Sequence, residues 1–138
     1  MLVVTGGMSV GEHDLVRKVL AEEGLTLDFW KIAMRPGKPL AFGQLGDLPV
    51  LGFPGNPVST LVCGHLFLRP AIAAMLGEIG DGLNEDVATL GAEMSANDER
   101  QDYVRARLKR AADGGFTATP FDRQDSSMLA TLSQSGCL

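Results

Sequence analysis

Apolar positions in the first half of the chain fall in short unbroken runs separated by glycine and proline. Leu2-Val3-Val4 has no polar alternation, the pattern of a strand buried on both faces, and it ends in Thr5-Gly6-Gly7. Beyond a loop through Gly11, residues 14–23 place Leu15, Val16, Val19 and Leu20 at helical spacing, and Gly24 stands where a left-handed C-terminal cap belongs. Residues 29–34 read as a second strand. They lead into Arg35-Pro36-Gly37-Lys38-Pro39, where two prolines remove backbone donors and force a turn. The runs 40–43 and 48–53 read as strands on either side of a turn at Gly46-Asp47. Pro54-Gly55-Asn56-Pro57 then opens a long helix, with Asn56 as N-cap and Pro57 at the first helical position. Pro70 should kink that helix and Gly77 should close it.

From residue 80 to 86 the composition shifts to Gly, Asp, Asn and Glu, as in a linker between compact units. Beyond it, 87–94 and 102–110 look extended. In the latter, Tyr103, Arg105, Arg107 and Lys109 share one face while Val104, Ala106 and Leu108 share the other, which predicts a half-buried strand. Residues 116–121 supply another strand after the turn at Asp113-Gly114-Gly115, and Ser127 to Gln134 has the spacing of a short helix with Met128, Leu129 and Leu132 on one face. The expected architecture is a mixed-sheet α/β unit over 1–79, a linker over 80–86, and a mainly-β unit over 87–138.

Composition narrows the function classes. The chain has 138 residues, 45% hydrophobic and 21% charged, enough for one real core or two small ones but too short for a large enzyme. Twelve Lys plus Arg against seventeen Asp plus Glu give a net charge of -5, so the broad basic field that a nucleic acid partner needs is lacking. The most apolar window, 61–76, is broken by His65, Arg69 and Pro70 and is short for a bilayer crossing, which takes about 20 clean residues, so no membrane span is expected. Two distant cysteines, Cys63 and Cys137, and a start without a charged leader region fit a cytoplasmic protein with reduced thiols.

Three loops could carry chemistry. Thr5-Gly6-Gly7-Met8-Ser9-Val10-Gly11 follows a strand and leads to a helix, so bare amides and two hydroxyls can approach a phosphate closely. Arg35 and Lys38 sit three residues apart on a proline-stiffened turn, which directs both cations. Pro54-Gly55-Asn56-Pro57 offers a helix N-terminus, whose partial positive charge favours an anion. Each loop alone is equally consistent with ordinary turn and cap duties. Together they matter more, because strand C-terminal ends in an open α/β sheet meet at one edge, where ligands bind. Gly7-Met8-Ser9-Val10-Gly11 also matches the nucleophile elbow of serine hydrolases, with Asp47 and His65 in the required chain order. Against a hydrolase, Thr5 to Met8 separate the strand from Ser9, and His65 falls among Leu61, Val62 and Leu66, where a packed core or interface histidine is expected.

Thr5-Gly6-Gly7-Met8-Ser9-Val10-Gly11-Glu12-His13-Asp14, Met34-Arg35-Pro36-Gly37-Lys38-Pro39 and Pro54-Gly55-Asn56-Pro57-Val58-Ser59 resemble the successive signatures of the molybdopterin molybdenumtransferase family, which includes the E domain of gephyrin. Asp102-Tyr103-Val104-Arg105-Ala106 and Gln124-Asp125-Ser126-Ser127 resemble its small C-terminal β domain. The resemblance implies an incomplete molybdopterin-binding α/β domain followed by that β domain, the whole looking like a C-terminal fragment of a homodimeric enzyme. It implies insertion of molybdate into adenylylated molybdopterin with release of AMP and with Mg2+ in attendance. By the same resemblance Asp14 and Lys38 are catalytic, Asp14 holding the metal. Ser9, Arg35, Lys38, Arg105 and Ser126 bind molybdate. Thr5, Gly6, Gly7, Ser9, Gly11, Pro36, Gly37, Pro54, Gly55, Asn56, Pro57 and Ser59 line the molybdopterin site. A binding or scaffold module without turnover is the alternative, since gephyrin shows that the fold supports partner binding.

Overall fold

A computed structural model describes residues 1–7, 15–80, 83 and 85–138. The first unit is built on a four-stranded mixed sheet of β1 (Leu2–Thr5), β5 (Leu48–Phe53), β4 (Ala41–Leu45) and β2 (Leu25–Trp30), in that spatial order. β1 runs parallel to β5 with Thr5 opposite Phe53, while β4 is antiparallel to both β5 and β2, with Ala41 opposite Gly52 and Trp30. The β4–β5 hairpin turns at Gly46, whose φ of 58° suits a residue without Cβ.

The central strand explains the core. Val50, Leu51, Gly52 and Phe53 of β5 are all buried, so this run, not β1, is the one covered on both faces. β1 lies at the sheet edge with Val3 exposed, which corrects the expectation from its unbroken apolar sequence. On one face Val50, Leu25 and Ala41 pack with Leu20 of α1 (Leu15–Glu22). On the other, Leu51, Phe53, Met34 and Leu40 meet Val58, Val62 and Cys63 of α2 (Pro57–Cys63). Gly24 takes the expected left-handed conformation after α1, at φ 97°.

The helix that begins at Pro57 continues to Met75 through one wide π turn, Gly64–Leu68, into α3 (Arg69–Met75). Pro70 cannot donate to the carbonyl one turn back, and the wide turn immediately precedes it, which relaxes the ladder where a kink was expected. Its nineteen residues are long and apolar enough to cross a bilayer by length and composition alone, a test that a packed core helix passes equally. One side of the helix nevertheless packs on the sheet through Val58, Val62 and Cys63. His65 is exposed on this helix and is not a core histidine.

The predicted strand over 29–34 is divided. β2 ends at Trp30, Lys31 adopts a left-handed φ of 73°, and only Met34–Arg35 forms the next strand, β3. The predicted strand over 102–110 is also two pieces. β7 (Gln101–Asp102) pairs in parallel with β3, whereas β8 (Ala106–Arg110) joins β9 (Phe116–Pro120) and β6 (Thr89–Leu90) in a separate three-stranded sheet. Side-chain alternation could not reveal this break, because the chain changes partners at Tyr103 to Arg105 without a glycine or proline. Ala106 is buried as predicted, but Leu108 is exposed. The short helix α4 (Leu129–Ser133) packs Leu132 against the α2 side of the first core, as does Tyr103.

Candidate functional site

The sheet topology brings the three loops to one edge. β1 and β5 end side by side, and β4 starts at that same end because it runs the other way. The glycine loop at Gly6-Gly7, the Pro36–Pro39 turn before β4, and the Pro54–Pro57 turn after β5 therefore all leave from the C-terminal edge of the parallel strands, the position where open α/β sheets bind ligands.

Local contacts fix these loops. The Gly6 amide donates to Phe53 O at 3.0 Å, and a Cβ on Gly55 would lie 3.5 Å from Gly6 Cα, so the first and third loops touch backbone to backbone. Gly7 O accepts the Arg17 amide at 3.1 Å, tying the glycine loop to α1. At the second loop, Leu40 N donates to Gly37 O at 3.0 Å and Ile32 N to Lys38 O at 2.9 Å, closing the turn, and the Arg35–Pro36 peptide is cis. Gly37 has φ 118°, and a Cβ there would come within 2.7 Å of Cys63 Sγ, so the turn is seated against the end of α2. In the third loop Asn56 occupies the N-cap position without a side-chain cap bond; its Oδ1 is buried with no hydrogen-bond partner. The Thr60 hydroxyl instead donates within this turn, with Pro54 O at 2.5 Å and Asn56 O at 2.9 Å as acceptors.

Thr5, Gly6, Gly7, Pro36, Gly37, Lys38, Pro54, Gly55, Asn56 and Pro57 thus share one edge. Ser9, Gly11 and Asp14 lie outside the described residues. Ser59 is buried within α2 at 6% exposure. Arg35 and Lys38 are both exposed, but they differ in company: the Arg35 guanidinium is paired with Asp102 of β7, while Lys38 makes no ion pair among the described residues.

Arg105 is placed differently from a solvent-facing anion ligand. It is 1% exposed; its Nε donates to Gln124 Oε1 at 3.2 Å and its Nη1 to Asp125 O at 2.8 Å. Gln124 Nε2 returns a bond to Arg105 O at 2.9 Å. Burial lowers the guanidinium pKa from its usual value, with Asp125 opposing. Asp125 is itself held below the usual carboxylate range, first by the Ser127 hydroxyl and then by the Ser127 amide. This network organises the segment that carries Ser126, which is half-buried.

Sequence reasoning missed a further group of cations on the same edge. Arg17 Cζ lies 4.6 Å and Lys31 Nζ 4.1 Å from the centroid of the Trp30 ring, each in cation–π contact. A lone tryptophan followed by lysine at a strand end, just ahead of the Arg35–Lys38 turn, was the available signal. The hydrolase arrangement fails on topology, because Asp47 sits in the β4–β5 turn at the opposite end of the sheet from Gly7. A cavity of about 860 Å3 between the 61–66 stretch of the long helix and the C-terminal unit includes Tyr103, Leu132 and Cys137 in its wall, but none of the predicted site residues. Magnesium would need hard oxygen ligands. Among the described residues no group of three or more His, Cys, Asp or Glu side chains could hold a metal ion, so these residues do not by themselves make a magnesium site.

A mixed sheet with its glycine loops at one edge, joined to a small β unit, defines a class shared with known proteins. Residues 1–74 match the family described as "Probable molybdopterin binding domain", and residues 87–138 match "MoeA C-terminal region (domain IV)". The chain belongs to this molybdopterin molybdenumtransferase family. It is 46% identical over 78 residues to the molybdopterin molybdenumtransferase of Haemophilus influenzae, covering 56% of this chain and 19% of that protein. It is 32% identical over 146 residues to molybdopterin molybdenumtransferase 1 of Mycobacterium tuberculosis, covering 100% of this chain and 34% of that protein. Among solved structures, the MoeA protein of Pyrococcus horikosii superposes with a TM-score of 0.72 at 28% identity, covering 96% of this chain and 30% of that one. The chain thus spans between 19% and 34% of the length of these two curated relatives.

Proposed function

We propose that this chain carries the molybdopterin- and molybdate-binding edge of a molybdenum-inserting transferase of cofactor biosynthesis. The observation that supports this reading is the meeting of three glycine- and proline-rich loops at one sheet edge, with Arg35 and Lys38 exposed on the middle one. The side-chain-free backbone at Gly6-Gly7 and the turn at Gly55-Asn56 allow the close approach that the phosphate and polar groups of a pterin need. Molybdate is a tetrahedral dianion, and two directed cations on a closed turn suit it as a substrate.

In this reading adenylylated molybdopterin lies along the edge, its phosphoanhydride near the glycine loop. Water attacks the phosphoanhydride, so that AMP leaves and the pterin keeps its phosphate. The two dithiol sulfurs replace one molybdate oxygen, which departs with their protons as water, and Lys38 faces the oxyanion and the charge that develops as AMP leaves. By the family resemblance Ser9 would bind molybdate, and Asp14 would supply a carboxylate oxygen to magnesium. Arg105 acts through the Gln124–Asp125 segment, presenting Ser126 to the site instead of touching molybdate itself. The working enzyme is a homodimer.

Calorimetry of molybdate binding to the chain and to Arg35→Ala and Lys38→Ala tests the reading. Removing Lys38 should cost about 1.5–3 kcal/mol, the range for a hydrogen bond to a charged group, which is about 10- to 100-fold in affinity. Unchanged affinity in both variants would sink it.

A further inference from the structure

Asp102 stands beside a cation that the proposed function assigns to an oxyanion, and its own surroundings are unusual. Its side chain is only 10% exposed. One oxygen, Oδ2, accepts a bond from Arg35 Nη2, while Oδ1 is buried with no hydrogen-bond partner. The carboxylate cannot drift away, because β7 is held to β3 on both sides: Gln101 N donates to Ala33 O and Tyr103 N to Arg35 O, each at 2.8 Å. The nearby Arg100 is engaged with Asp98 through Nε and Nη2. Arg35 is therefore the cation in contact with this carboxylate among the described residues.

A buried carboxylate with one orphaned oxygen needs its counter-ion, since an uncompensated charge out of water is costly. Any anion that takes Arg35 must share it with Asp102 and feel a fixed negative charge a few ångströms away. Resting on the oxyanion reading above, we infer that Asp102 is an affinity-setting residue: an internal counter-ion that weakens oxyanion binding at Arg35 in proportion to the charge of the oxyanion. Lys38, with no such partner, supplies the unopposed cation of the pair.

Charge proportionality makes the inference testable. Asp102→Asn keeps the shape and removes the charge. At the half-exposed Arg35 guanidinium, where water screens the bound anion from Asp102, each unit of charge on the ligand should gain about threefold in affinity, so a tetrahedral monoanion such as perrhenate gains about threefold and the dianion molybdate about tenfold. The measurement is calorimetric titration of both anions into the chain and the variant at matched ionic strength. Equal gains for the two anions, no gain, or weaker binding would overturn the inference while leaving the oxyanion site standing. Failure of the unmodified chain to bind either anion would overturn both. A second readout does not depend on the variant folding: in the unmodified chain the carboxyl carbon resonance of Asp102 should move during titration with molybdate and hold still with chloride. A stationary Asp102 resonance while the Arg35 side-chain nitrogen moves would equally overturn it.

Discussion

Gly6 and Gly55 meet at the ends of the two parallel strands, with Gly6 Cα 3.5 Å from the place a Cβ on Gly55 would occupy. The two positions are not equivalent. Gly6 has φ 74°, a conformation that costs an L-residue about 1–2 kcal/mol, so Gly6→Ala should lower stability by that amount in denaturant unfolding. Gly55 is not left-handed, and its added methyl would make only ordinary contact.

Gly55→Ala should therefore unfold within about 0.5 kcal/mol of the parent, in the manner of an unstrained surface change. The methyl would nevertheless stand on the loop junction where the pterin phosphate is proposed to lie. Binding of a pterin phosphate, followed by fluorescence quenching, should weaken severalfold with the melting curve unmoved. A parallel loss of stability and binding would show that this glycine serves packing alone.

The middle loop depends on a sulfur. Gly37→Ala faces both φ 118° and the approach to Cys63 Sγ at 2.7 Å, and should cost about 3 kcal/mol, combining backbone strain with overpacking. Cys63→Ala removes the nearest obstructing atom, leaving the flexible Met34 side chain at 3.0 Å, so the double variant should be more stable than the sum of the single effects by about 1 kcal/mol or more. Strict additivity in urea unfolding would mean that the backbone conformation, and not the sulfur, sets the penalty.

Arg105 should behave as a residue of the fold. Its buried guanidinium spans Gln124 Oε1 and the Asp125 carbonyl inside the C-terminal unit, and truncation would remove both of these bonds and the packing of the side chain, at about 1–3 kcal/mol. Arg105→Ala should lower the melting temperature markedly. Molybdate affinity per folded molecule should fall by less than in Lys38→Ala. The reverse pattern, a stable protein with abolished binding, would return Arg105 to direct contact with the oxyanion.

These contrasts follow what the sequence could and could not convey. The turns at Gly24, Gly37 and Gly46 were legible because a positive φ is a local demand that glycine meets within its own residue. The helix start at Pro57 was legible because proline at the first helical position is a local preference, although Asn56 at the N-cap makes no side-chain cap bond. The Arg105–Gln124 network was not, because the two residues are nineteen apart in sequence and only the folded chain brings the guanidinium to the amide. The division of 102–110 between two sheets likewise depends on β3 presenting a backbone edge to Gln101 and Asp102. Arg17, Trp30 and Lys31 come together only because α1 returns across the sheet to the end of β2, a relation that periodicity does not encode.

Cys63 provides a pH-dependent signature of the core beneath the middle loop. Burial pushes its thiol up to about 11 from an ordinary value of 9.0, because the apolar surroundings disfavour the thiolate. Below pH 9 the thiol is protonated in both folded and unfolded chains and contributes no pH dependence. Between pH 9 and 11 the unfolded chain releases this proton while the folded chain keeps it, so unfolding becomes progressively easier as pH rises. The full effect of two units is about 3 kcal/mol, reached near pH 11 and level above it. Urea unfolding at successive pH values should show this decline in the parent, and Cys63→Ala, whatever its stability at pH 8, should lose that part of the slope. An identical slope between pH 9 and 11 in both proteins would mean that lysine and tyrosine titration account for it and that the Cys63 thiol is not desolvated.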